Sequence, residues 1–97
     1  MTSLIVTPNH IVVQNEGNLV SNMDGEKVML SVATGKYYNL GATGGRIWEL
    51  IDGPTQVNRL VTLLGEEYDI SPSVCEQHVC SFLEHLSREG LIQIREE

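Results

Sequence analysis

The pattern of apolar and polar positions divides the chain near residue 42. The first part reads as strands. His10-Ile11-Val12-Val13-Gln14 is short and β-branched, and Glu16-Gly17-Asn18 follows as a breaker. Lys27-Val28-Met29-Leu30-Ser31-Val32 alternates loosely between Asp24-Gly25 and Thr34-Gly35, and Lys36-Tyr37-Tyr38-Asn39-Leu40 comes next. Segments 27–33 and 36–40 are therefore expected to form a tight antiparallel hairpin turning at Thr34-Gly35. After Thr43 the apolar spacing changes to three and four. Ile47, Trp48, Leu50 and Ile51 mark a first helix, ended by Asp52-Gly53-Pro54. Thr55 reads as the N-cap of a second helix carrying Val57, Leu60, Val61, Leu64 and Tyr68. Ser71-Pro72 opens a third, with Cys75, Val79, Phe82, Leu83 and Leu86 as its apolar stripe and Gly90 closing it. Leu91-Ile92-Gln93-Ile94 is a short final strand or extended tail.

Two or three strands followed by three helices and a tail predict an α+β domain. It is winged-helix-like, a small three-stranded antiparallel sheet followed by three helices. So small a sheet cannot close on itself, so at least one edge strand faces solvent. A free edge is a liability unless shielded, and it is also a docking site for an extended peptide.

Composition narrows the function. With 97 residues, residues 1–97 are expected to form a single domain. Folding at this size leaves a modest core and little room for a deep active-site cavity. An apolar share of 41% with 20% charged residues is that of a globular protein rather than a disordered one. No apolar run is long enough to cross a bilayer, and Met1–Pro8 has no basic flank or small-residue cleavage pattern around Leu4-Ile5-Val6. A cytoplasmic protein without a membrane partner is the expectation.

Charge is uneven along the chain. Residues 1–48 balance Glu16, Asp24 and Glu26 against Lys27, Lys36 and Arg46, so residues 49–97 hold the whole net charge of −7. Such a surface repels phosphate backbones. The third helix sets Glu76, Glu84 and Glu89 against Gln77 and Arg88, the wrong balance for a recognition helix. Nucleic acid is not an expected partner.

The Cys and His residues of the third helix do not converge. Cys75 and Cys80 are five residues apart and point about 140° away from each other, so they cannot bridge and are expected to be free thiols in a reducing compartment. His78 and His85 share a side but lie two turns apart, about 10 Å along the axis. One tetrahedral ion cannot reach Cys75, His78, Cys80 and His85 together, and no metal or other cofactor is expected. Catalysis has no frame either. Cys75 falls on the apolar stripe, where a thiol is inert, and Gly44-Gly45 lacks the Lys-Ser/Thr of a phosphate loop. In the Tyr37–Leu40 strand, alternation puts Tyr38 and Leu40 on one face, Tyr37 and Asn39 on the other. Tyr38 and Leu40 serve as core in the plainer reading; in the functional one the strand's free edge also pairs with a guest peptide.

From Gly25 to Leu91 the sequence resembles the PqqD-like family, the precursor-peptide recognition elements. The resemblance is carried by Thr34-Gly35-Lys36-Tyr37-Tyr38-Asn39-Leu40, by Thr43-Gly44, and by Ile47-Trp48-Glu49-Leu50-Ile51-Asp52-Gly53. Leu60-Val61, Tyr68-Asp69-Ile70-Ser71, Phe82-Leu83-Glu84-His85-Leu86 and Gly90-Leu91 continue it. It implies a three-stranded sheet with three helices, no catalysis, and a leader peptide added as a strand beside Lys36, Tyr37, Tyr38, Asn39 and Leu40. Neighbouring positions on the third helix are Cys75, His78, Val79 and Phe82. Within the family the chain looks most like the stand-alone leader-binding proteins of lasso-peptide biosynthesis, whose partners are a leader protease and a macrolactam cyclase. A peptide chaperone for a radical enzyme of pyrroloquinoline quinone biosynthesis is the alternative, and a winged-helix DNA-binding protein is the alternative of another class.

Overall fold

The computed structural model describes residues 6–96. Leu4 and Ile5 of the short apolar run Leu4-Ile5-Val6 lie outside the described residues. The strands and helices are β1 (Ile11–Gln14), β2 (Asn18–Met23), β3 (Glu26–Ser31), β4 (Tyr37–Leu40), α1 (Gly41–Leu50), β5 (Thr55–Gln56), α2 (Val57–Tyr68), α3 (Pro72–Arg88) and β6 (Ile92–Arg95). The α+β arrangement of a three-stranded antiparallel sheet followed by three helices is as expected. Its strands are not quite those expected.

One sheet is β2-β3-β4, and its strand Asn18–Met23 was not foreseen. Its turn explains it. Met23 pairs with Glu26, and the two residues between them, Asp24 (φ 54°) and Gly25 (φ 81°), both have positive φ. That is a two-residue turn whose twist matches the strands, and Asp-Gly is its favoured sequence. At the other hairpin the connection is longer than Thr34-Gly35 alone. Ser31 N donates to Lys36 O (2.9 Å) and Gly35 N to Ser31 O (2.8 Å), so residues 32–35 make the turn and Gly35 supplies the left-handed φ of 74°.

The expected first strand belongs elsewhere. β1 lies at the centre of a second sheet, β5-β1-β6, pairing Ile11–Gln14 with Ile92–Arg95 and so joining the two ends of the described chain. Thr55, expected as an N-cap, sits in β5 instead. Its hydroxyl donates toward the Leu50 and Gly53 carbonyls, and Gln56 takes the N-cap position. Ser71 does occupy the N-cap of α3, but its side chain makes no capping bond and Pro72 follows at the first turn.

The core is shared by both sheets and all three helices. Val12, Met29, Ile51, Val57, Leu60, Leu64, Leu83, Leu86 and Leu91 are completely covered, and Trp48 closes the cluster from α1. Each such side chain contributes roughly 1.5–3 kcal/mol by leaving water. Tyr68, expected on the apolar stripe of α2, is 41% exposed at the end of that helix. Polar ties hold α1 in place. Arg46 forks onto Glu67 of α2 (Nε–Oε1 and Nη2–Oε2, both 3.0 Å), and Lys27 of β3 reaches Glu49 (2.9 Å). The stem of Lys27 crosses α1 at Gly45, where a Cβ would lie 2.9 Å from its Cγ.

Candidate peptide-binding groove

β4 is an edge strand: β3 pairs with one side of it and no described strand with the other. The register fixes which backbone groups are free. Ser31 N donates to Lys36 O, so Lys36 faces β3. Backbone groups alternate along an antiparallel strand, so Tyr38, opposite Met29, also faces β3. Tyr37 and Asn39 then point their N–H and C=O groups outward. Their side chains lie on the outer face, where Tyr37 is 74% exposed. Tyr38 and Leu40 turn inward, Tyr38 half-buried and Leu40 buried. The chain leaves the strand through an Asx turn, Gly41 N donating to Asn39 Oδ1 (2.9 Å), and α1 begins there.

Two contacts align α3 with β4. Near Leu40, the ring of Phe82 lies so close to α1 that a Cβ on Gly44 would meet it at 2.8 Å. Near Lys36, Tyr38 Oη donates to Glu89 Oε1 (2.8 Å), and Lys36 Nζ lies 3.8 Å from the same oxygen. Running from Phe82 to Glu89, α3 therefore passes alongside β4 from Leu40 back to Lys36. At 100° per residue His78, Phe82, His85 and Glu89 fall within about 60° of one another, one stripe along the groove.

Beside Phe82 the groove opens into a mainly apolar cavity of about 270 Å³, walled by Gly44, Ile47, Leu64, Tyr68, His78 and Phe82. Cys75 and Val79, each only 2% exposed, line it from α3. The structure thus brings His78, Val79, Phe82 and Cys75 together on one side of α3. Sequence reasoning missed Gly44, His85 and Glu89. The i, i+4, i+7, i+11 spacing from His78 to Glu89 was the available signal for the last two.

Neither thiol of α3 is activated. Burial pushes the Cys75 thiol above its ordinary pKa, and its Sγ donates to the Val61 carbonyl (3.4 Å). Burial, then the charges of Glu76 and Glu84, do the same to Cys80. Both thiols are free. The hydrogen bond to Glu89, with desolvation and charge after it, raises Tyr38, so its phenol stays neutral and donating. Among the described residues no three His, Cys, Asp or Glu side chains gather into a group able to hold a metal ion. No helix among them is long and apolar enough to cross a membrane.

Residues 26–92 match the family described as coenzyme PQQ synthesis protein D (PqqD), which is more than half of the chain. The chain belongs to the PqqD family. Two solved structures have the same fold as this PqqD-family chain. One is TbiB1 in complex with the TbiA(beta) leader peptide, with a TM-score of 0.76 and 27% identity over 84% of this chain and 94% of that one. The other is the solution structure of the PqqD truncation of Methylobacterium extorquens PqqCD, described as a functional, stand-alone recognition element for ribosomally synthesised, post-translationally modified peptides. Its TM-score is 0.72, with 20% identity over 86% of this chain and 88% of that one. No curated protein matches the chain.

Proposed function

We propose that this PqqD-family chain is a non-catalytic adaptor for the leader segment of a ribosomally made precursor peptide. The leader adds as a strand to the outer edge of β4 and lies against α3. The free edge of β4, running beside the cavity and α3, carries this reading. A relative at 27% identity, TbiB1, is described in complex with a leader peptide, which supports it.

Each residue has a distinct part. Tyr37 and Asn39 supply backbone hydrogen bonds, Lys36, Tyr38 and Leu40 define the strand's ends and inner face, and His78, Val79, Phe82 and Cys75 receive inward side chains. Backbone pairing gives affinity and side-chain pockets give selectivity. Presentation to an enzyme also needs a surface that stays open when the peptide is bound. The outer face of the sheet is one, with Leu19 (61%), Met23 (60%) and Tyr37 exposed. In the lasso-peptide reading the enzymes are a leader protease and a macrolactam cyclase, and the setting is cytoplasmic. A peptide chaperone for a radical enzyme of pyrroloquinoline quinone biosynthesis is the second reading, favoured by the family's description.

The test is selection of binders from a displayed library of random dodecapeptides, followed by amide exchange on the complex. A bound peptide should protect the Tyr37 and Asn39 amides, which face outward in the free protein. Binders that leave both amides exchanging as before would refute strand addition at β4. Reconstitution with a leader protease and cyclase, or with a radical enzyme, separates the two settings.

A further inference from the structure

The groove is not symmetric, and its asymmetry constrains the guest. A strand added beside β4 points alternate side chains inward, those opposite Tyr38 and Leu40. Those two positions lie about 7 Å apart and meet different walls. Opposite Leu40 the inward side chain meets Gly44, Phe82 and the mouth of the cavity. Opposite Tyr38 it meets the phenol ring, which crosses from β4 to the end of α3, where Glu89 is the C-cap residue.

Glu89 is out of place by charge alone. The C-terminal end of a helix carries partial negative charge and disfavours a carboxylate. Two groups from the β4 side compensate it, the Tyr38 hydroxyl at 2.8 Å and the Lys36 ammonium at 3.8 Å, both directed at the same oxygen. The cluster joins strand to helix across the groove and holds the Tyr38 ring where a guest side chain would otherwise go.

We infer that Tyr38, Glu89 and Lys36 form a latch closing this end of the groove, so that the guest carries its bulky apolar side chain facing Leu40 and Gly44 and a small one two residues away, facing Tyr38. Glu89 acts through Tyr38 and is a positioning residue. This inference rests on strand addition at β4.

The experiment starts from the tightest dodecapeptide selected on the parent protein and replaces each of its positions in turn by Leu. The parent should show one position, two residues from the bulky anchor, where Leu weakens binding about tenfold or more, as overpacking a closed site does. Glu89→Ala and Tyr38→Phe, which removes only the hydroxyl, should reduce that penalty to less than about threefold while leaving the melting temperature near the parent's. Glu89→Gln keeps an acceptor for the phenol and should retain the penalty, a rescue that loss of structure would not show. A parent without such a position, or a penalty unchanged in both Glu89→Ala and Tyr38→Phe, overturns the latch. Failure to select any binder, or binders that leave the Tyr37 and Asn39 amides unprotected, overturns strand addition instead.

Discussion

Proline placed along β4 tests the register directly, because neighbouring positions should fail in different ways. Proline lacks the backbone N–H and fixes φ, so it is tolerated on an edge strand only where the N–H faces away from the sheet. At Tyr37 and Asn39 the N–H faces outward; at Tyr38 it faces β3 opposite Met29, which is completely buried. Tyr38→Pro removes a ladder hydrogen bond and leaves the Met29 carbonyl without its donor, which together should cost about 3 kcal/mol of stability. For a domain near 100 residues, each kcal/mol lowers Tm by roughly 4–8 °C, so the loss should exceed about 10 °C. Tyr37→Pro should leave Tm within a few degrees of the parent and act on binding. It removes one guest hydrogen bond, worth about 0.5–1.5 kcal/mol, and leaves a guest carbonyl without its donor, a further 1–3 kcal/mol or so. Affinity should fall on the order of tenfold to a hundredfold or more.

Asn39→Pro should weaken binding in the same way but less cleanly. Its side chain also accepts from Gly41 N and donates to Glu26 (3.1 Å), and both bonds go with it. Asn39→Ala removes those while keeping the backbone donor, and should cost binding much less. The assays are thermal melting of each variant and fluorescence anisotropy with the selected dodecapeptide. If folded Tyr37→Pro binds as the parent does, the outer edge of β4 is not the docking edge. If Tyr38→Pro melts with the parent, the register itself is wrong.

Three further outcomes follow from packing and charge. Leu83→Ala, at a position with no exposed surface, should cost about 2–5 kcal/mol by leaving a cavity, whereas Val74→Ala, at 41% exposure, should stay within about 0.5 kcal/mol in a urea titration. Hydrogen bonds from Lys27 and Arg46 hold the Glu49 carboxyl below its ordinary pKa, and one from Arg46 does so for Glu67. Their contribution is therefore present above the ordinary carboxylate range and lost as pH falls through the depressed values, and Glu67→Gln should flatten the acid limb of a urea-midpoint profile below about pH 4.3. Gly44→Ala should leave Tm near the parent's, helix propensity offsetting strain, but displace the Phe82 ring that its Cβ would meet. Its signature is shifted Phe82 ring resonances and severalfold weaker peptide binding, with Phe82→Leu restoring part of the affinity.

Much of this fold was legible because helices announce themselves over long windows. Val57, Leu60, Val61 and Leu64 repeat at three and four residues, and all four are buried. Ser71-Pro72 and Gly90 marked the limits of α3, with Gly90 in the left-handed region (φ 74°). The strands were harder because pairing is not local. Ile11–Gln14 was read correctly as extended, yet its partners are 40 and more residues away, and nothing in a four-residue run names them. Asn18–Met23 was missed for a different reason. Its composition, Asn-Leu-Val-Ser-Asn-Met, is poor in β-formers, and most of it is exposed. Only the Asp24-Gly25 turn that follows betrays it.

The groove shows the same division between local and assembled information. Which side of a strand carries free backbone groups depends on the partner's register, and here on a single bond from Ser31 to Lys36. Phe82 illustrates how the apolar stripe misled. Its spacing put it with Val79, Leu83 and Leu86 as core, but those three are buried while Phe82 is half-covered at the cavity wall. A helix of 17 residues between a small sheet and two other helices presents one face inward and a second, about a third of a turn away, to the groove. Apolar spacing alone merges the two faces. What separates them is the company each residue keeps. One turn away Leu83 has Val79, Cys80 and Leu86, whereas Phe82 has His78 and His85 on one side of it and Val79 and Leu86 on the other, so it borders the polar stripe that ends at Glu89. An aromatic side chain held among polar ones on a single helical stripe is the pattern of a contact surface, and α3 carries it along β4.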